Sequence, residues 1–145
     1  MELDLSEFPN LVAEGFEIKS DPTIDYNCIA WAADDNERWW EPGVLDGYWP
    51  AAAPQEFTFA GLIAGFATIG YEECPSADYE EGYDKVAFYG TADDNATHAA
   101  KQVGPNLWSS KCGITEDITH TLTGLVSDRY GRAMRFVRRR KTQGG

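Results

Sequence analysis

The sequence has no apolar run of about eighteen residues, no C-x-x-C pair and no basic start, and each absence removes a class of protein. Without the apolar run no membrane-spanning helix is encoded. The first ten residues, MELDLSEFPN, are acidic and lack an apolar centre, so no secretion signal is read there, and a cytoplasmic location is the expectation. The three cysteines, Cys28, Cys74 and Cys112, are odd in number and widely spaced, which encodes neither a disulfide framework nor a zinc site. No Gly-rich phosphate loop, metal-ligand cluster or paired-carboxylate signature stands out, so neither cofactor nor metal is expected. Histidine is scarce. Imidazole chemistry must come from His98 or His120.

Bases are also scarce until the end of the chain. Six of the twelve Lys and Arg residues (Arg132, Arg135, Arg138, Arg139, Arg140, Lys141) follow residue 131 with no acid among them, so residues 132 to 145 carry +6. The first 131 residues hold six bases against 24 acids, a charge of −18, and the whole chain −12. So acidic a body repels a phosphate backbone, which argues against nucleic acid as the main partner and for a protein or peptide partner of basic character. The basic end reads as a last strand with cationic outward side chains.

What is present suffices for one domain over residues 1 to 145, with 43% hydrophobic and 13% aromatic residues to bury. Residues 3 to 20 alternate Leu, Phe, Val and Ile with acids and predict an arm lying over the core. Asp21-Pro22-Thr23 is a turn. Residues 34 to 54 form a long aromatic loop with Trp39, Trp40, Tyr48 and Trp49. Such a loop is either a substrate-binding wall or a satellite core. Residues 55 to 69 carry apolar side chains at intervals of three and four and predict an amphipathic helix ending at Gly70. Four strands are then predicted, over residues 85 to 89 (KVAFY), 97 to 103 (THAAKQV), 107 to 111 (LWSSK) and 132 to 138 (RAMRFVR). The short turns make the first three an antiparallel meander. Residues 114 to 126 read as a second helix with Thr115 as its cap. Helices first and then a sheet imply an α+β class.

The chemistry centres on Tyr26-Asn27-Cys28-Ile29-Ala30-Trp31-Ala32. Asp25 and Asn27 are good N-cap residues, so Cys28 is expected in the first turn of a helix, where backbone N–H groups and the helix dipole favour a thiolate. A small buried apolar cysteine is the plainer reading. A cysteine nucleophile needs a base within hydrogen-bond reach and a third group to orient that base. His98, at the start of a strand, is the candidate base; His120, between Ile118 and Leu122, reads as a core or surface residue. Asn27 and the backbone N–H of Cys28 are candidates for the oxyanion hole, Asn27 being equally well explained as a cap. Trp39, Trp40 and Trp49 are the candidate substrate-binding side chains.

The motifs YNCIAWA, RWW, YWP, KVAFY, THAA, WSSKCG, DITH and YGRAMRFVRR together resemble an uncharacterised bacterial domain family. The order of Cys28 and His98 resembles the papain-like cysteine hydrolases, including the NlpC-type cell-wall peptidases. That resemblance implies a helix carrying Cys28 packed on an antiparallel sheet carrying His98, with the third catalytic residue on the next strand, LWSSK. Ser110 is favoured there, Ser109 and Lys111 lie beside it, and Asp117 or His120 is the rival. Amide hydrolysis or acyl transfer would follow, Cys28 attacking an acyl carbon and His98 shuttling the proton. The alternative is a non-catalytic acidic module of the inhibitor or immunity type that occupies a basic partner.

Overall fold

The computed structural model describes residues 8–18, 28–33, 40, 48–50, 53, 58–91, 95–111, 117–126 and 130–140. Pro9 opens a short helix, α1 (Pro9–Glu14), a position where its missing N–H leaves nothing unsatisfied. It leads into β1 (Phe16–Ile18). Cys28–Ala32 forms α2, and α3 (Phe59–Ala67) is capped by Thr58, whose Oγ1 accepts the N–H of Gly61 at 3.1 Å. There follow β2 (Glu72–Cys74), β3 (Tyr83–Thr91), β4 (Asn95–Gly104), β5 (Leu107–Lys111), β6 (Asp117–His120), a 3-10 turn at Thr123–Leu125, and β7 (Arg132–Arg140).

These strands form one seven-stranded sheet in the order β1-β6-β5-β4-β3-β7-β2, every pair antiparallel. The molecule is thus mostly antiparallel sheet with a few short helices. This corrects the expected α+β arrangement of N-terminal helices packed on a meander, and with it the papain-like, NlpC-like architecture. The physical reason is length. Helices of six, five and nine residues cannot form a layer of their own, whereas β3, β4 and β7 run nine or ten residues each and form the middle of the sheet.

A second correction concerns residues 114 to 126. Instead of a helix, the described part contains β6 and the 3-10 turn. Ile118 and His120 share one face because β6 has the strand period of two. It pairs Ser110↔Ile118 and Trp108↔His120 on one side, and Phe16↔His120 on the other. Apolar spacing of four suited a helix equally well, and the two flanking strands decided the matter.

The sheet buries both faces. On one, α2 and α3 bring Cys28, Ile29, Leu62 and Phe66 against Val86, Phe88, Ala96, Ala99 and Val137. On the other, Phe8 and Leu11 of the α1 segment pack with Ala87, Tyr89, Ala100, Trp108, Ile118 and Tyr130. Trp40 belongs to the first core: it is 2% exposed and meets Tyr48, Trp49 and Phe66 with ring centroids 4.9, 6.4 and 6.0 Å away. Gly65 permits this packing. A Cβ there would lie 3.0 Å from the Trp49 ring.

Lys85 is also buried, an unusual place for an ammonium. Its Nζ donates to the carbonyls of Ser76 and Asp78 and pairs with Glu80 at 2.7 Å, so all three donor directions are used. This ties the segment after β2 to the body of the sheet. Arg138 of β7 reaches Glu72 and Glu80 from outside.

Candidate functional site

Cys28 is the first residue of α2 and is 8% exposed, in the core shared with Ala96 and Ala99. The helix runs only five residues, so few peptide dipoles align behind the sulfur. His98, on β4, is fully buried in the opposite core. Its ring stacks on Tyr130 with centroids 4.2 Å apart and planes 14° off parallel, and it meets the edge of Tyr89 at 5.6 Å. Cys28 and His98 therefore face opposite sides of the sheet. Neither ring nitrogen of His98 has a hydrogen-bond partner, so the thiol of Cys28 does not bond to it.

The facing is set by a β-bulge. Gly90 pairs with Ala96 and Tyr89 with His98, which leaves Thr97 as the extra residue of β4. In a regular strand Ala96 and His98 would share a face. The extra residue inverts that parity, so Ala96 stays with Cys28 while His98 turns to Tyr89 and Tyr130. Thr97 is tied to the bulge by its hydroxyl, which donates to the carbonyl of Tyr130 at 2.6 Å. β7 is bulged opposite the same place, with Met134 between the pairs Phe88↔Arg135 and Tyr89↔Ala133. Next to it Gly131 has φ +72°, and a Cβ there would fall 2.1 Å from the carbonyl oxygen of Gly90, so only glycine lets this corner close.

Ser110 is fully buried on the His98 face, but its hydroxyl serves the other histidine: Oγ lies 2.7 Å from Nε2 of His120. Nδ1 of His120 lies 2.7 Å from the carbonyl oxygen of Thr121. A carbonyl can only accept, so Nδ1 carries the proton and Nε2 accepts from Ser110. Nucleophile, base and orienter thus stand in line, yet both side chains are sealed, His120 being 2% exposed. Burial lowers the His120 pKa to about 4, the bond to Thr121 opposing that shift, which makes it a feeble base near neutrality. Burial, with a smaller contribution from His120, pushes His98 well below its ordinary value.

The remaining candidates separate. Ser109 points to the α2 face and accepts from Nε1 of Trp31 at 2.9 Å, while Lys101 lies 3.9 Å over the Trp31 ring. Trp40 and Trp49 fill the core beside α3, so the aromatic stretch supplies packing here. Lys111 and Asp117 fall in β5 and β6, their side chains outside the described residues. Asn27, Trp39 and Cys112 also lie outside them.

Sequence reasoning missed the opening at the β1 end of the sheet. A cleft of about 250 Å³ is lined by Glu14, Gly15, Phe16, Glu17, Leu107, Thr119, His120 and Thr121. Oε1 of Glu14 accepts the hydroxyls of Thr121 and Thr123, each at 2.6 Å, and these two bonds hold its pKa below the usual carboxylate value. Leu107 is 42% exposed at the rim. The one sequence signal was the alternation around Phe16 and Glu17; the long separation from Leu107 and Thr119 hid the rest. Among the described residues no cluster of His, Cys, Asp or Glu could hold a metal ion, and no helix is long and apolar enough to cross a membrane.

A family model described as Domain of unknown function (DUF7689) matches residues 17–138, most of the chain, and the chain belongs to that family. No curated protein and no solved structure matches it.

Proposed function

We propose that this member of the DUF7689 family is an acidic, non-catalytic binding domain that receives a basic segment of a partner protein in the cleft at Glu14 and Glu17. The observation that carries this reading is the cleft itself, which combines two carboxylates with the apolar side chains of Phe16 and Leu107. Glu14 is ionised at neutral pH, and with both threonine bonds on Oε1 its Oε2 has no partner among the described residues. A guanidinium or ammonium brought there meets a fixed anion, while its aliphatic stem lies along Leu107 and Phe16. The net charge of −12 steers such a partner toward the surface.

Calorimetric titration of a synthetic peptide alternating Arg and Val tests this at low salt, with a Glu and Val peptide as the reference. The Arg peptide should bind, and Glu14→Gln with Glu17→Gln should weaken it at least about tenfold, roughly 1.4 kcal/mol. The exposed acids Asp78 and Glu81 serve as the control. Equal loss in Asp78→Asn with Glu81→Gln would mean general charge attraction and no site.

Cysteine-dependent amide hydrolysis through Cys28 and His98 is the second reading. What favours it is that Cys28 opens α2 and that α2 packs on β4, the strand of His98. It requires the two side chains to share a face, which the bulge at Thr97 opposes.

A further inference from the structure

His98 is the one buried polar side chain, among the described residues, whose polar atoms have no hydrogen-bond partner. A ring with both nitrogens unsatisfied in a dry core is costly, and its cost rises sharply once it is charged. The groups on its face of the sheet offer no compensation. β3 presents Tyr89, the corner before β7 presents Tyr130, β6 presents His120, and β5 presents Trp108 and Ser110, the latter already bonded to His120. The α1 segment contributes Phe8, whose ring lies 5.2 Å from Tyr130, and Leu11. Glu14, the acid of α1, is exposed and bonded to Thr121 and Thr123. No carboxylate acts on His98 among the described residues.

We propose that the His98–Tyr130 stack is an acid-operated latch: protonation of His98 expels the ring from its dry site and frees the Tyr130 corner, with the α1 layer behind it, from this face of the sheet. The opposite face holds its own core of α2 and α3 against Val86, Phe88 and Val137, so it stays closed. The layer that opens is one piece. Asn10 bonds the carbonyl of Thr123, and Glu14 bonds Thr121 and Thr123; the hydroxyl of Tyr89 on β3 donates to the carbonyl of Leu122 and is a tie to the sheet that opening must break. Because Glu14 belongs to it, acid would also dismantle the cleft, a consequence that rests on the binding reading above.

Hydrogen exchange of the whole chain without any peptide, at pH 7 and pH 5 and corrected for intrinsic rates, tests the latch apart from the cleft. With His98 refused a proton when closed and titrating near 6.5 when open, the opening equilibrium should rise about 25-fold over that interval. The rise should appear in residues 8–14, 122–126 and 130 and be absent from residues 59–67. His98→Phe keeps the stack and removes the charge, so it should abolish the rise. Should that variant not fold, imidazole NMR of the native chain decides, since the His98 signal must titrate at the midpoint of the opening. Opening of all segments together, an unchanged rise in His98→Phe, or separate midpoints would each overturn the proposal.

Discussion

Cys28 and His98 lie on opposite faces of one antiparallel sheet, Cys28 against Ala96 and Ala99, His98 stacked 4.2 Å from Tyr130. Catalysis by this pair requires the imidazole to take the thiol proton directly or through one water. The backbone of β4 stands between them, Ala96 and Ala99 on the Cys28 face and His98 on the other.

The first expectation follows for thiol reactivity. Alkylation of Cys28 by iodoacetamide should be slow at pH 6 and change less than about twofold in His98→Phe, because the imidazole does not reach the sulfur. Mass spectrometry of the labelled peptides separates Cys28 from Cys74, whose buried thiol is pushed above its usual pKa. Rapid labelling of Cys28 at pH 6 that disappears in His98→Phe would restore the hydrolase reading.

Global stability should fall with acid for a related reason. Above about pH 6.5 neither the folded nor the unfolded chain binds protons at His98 or His120. Below it the unfolded chain takes up both, while the folded chain refuses them down to about pH 4 at His120, and burial holds His98 well below its ordinary pKa. Stability therefore drops by about 1.4 kcal/mol per pH unit for each histidine that the fold keeps neutral. Urea unfolding at pH 7, 6 and 5 measures the slope, and His98→Phe should halve it.

Lys85→Met keeps the stem and removes the ammonium. The carbonyls of Ser76 and Asp78 then lose their donor, and about 2–4 kcal/mol of stability should be lost on urea unfolding. Cys74, whose sulfur bonds the Ser76 carbonyl, should become more easily alkylated as the segment loosens. An unchanged urea midpoint would show that Lys85 is not the tie between this segment and the sheet.

Two glycines with positive φ give a matched pair. Gly82→Ala meets nothing within 4 Å and should cost about 1 kcal/mol of backbone strain alone. Gly131→Ala adds a collision with the Gly90 carbonyl and should cost several kilocalories per mole or prevent folding. Similar urea midpoints for the two would mean that the Tyr130 corner does not sit on the bulge.

Local features of the chain carried much of this. LWSSK is a strand over the same five residues in both the sequence pattern and the fold, since Gly104-Pro105-Asn106 sets its start. The apolar spacing of residues 55 to 69 marked α3, although the helix begins at Phe59, where Thr58 can cap it. DITH was misread because four residues hold too little period to tell strand from helix; pairing with β5 and β1 supplied what was missing.

The amino-acid sequence by itself determined the acidic charge, the lack of an apolar run long enough for a membrane helix, the strands of the meander and the short helix that starts at Cys28, because each depends on residues within a turn or two of one another. Tertiary structure alone decided which face each chemical group takes. Thr97 shows why: side chains along a strand alternate, so one unpaired residue reverses the facing of those after it, and only the neighbouring strand, where Gly90 meets Ala96 and Tyr89 meets His98, reveals that the residue is unpaired. The same holds for the cleft, whose two sides, Glu14 to Glu17 and Leu107 to Thr121, meet only because β1 closes on β6.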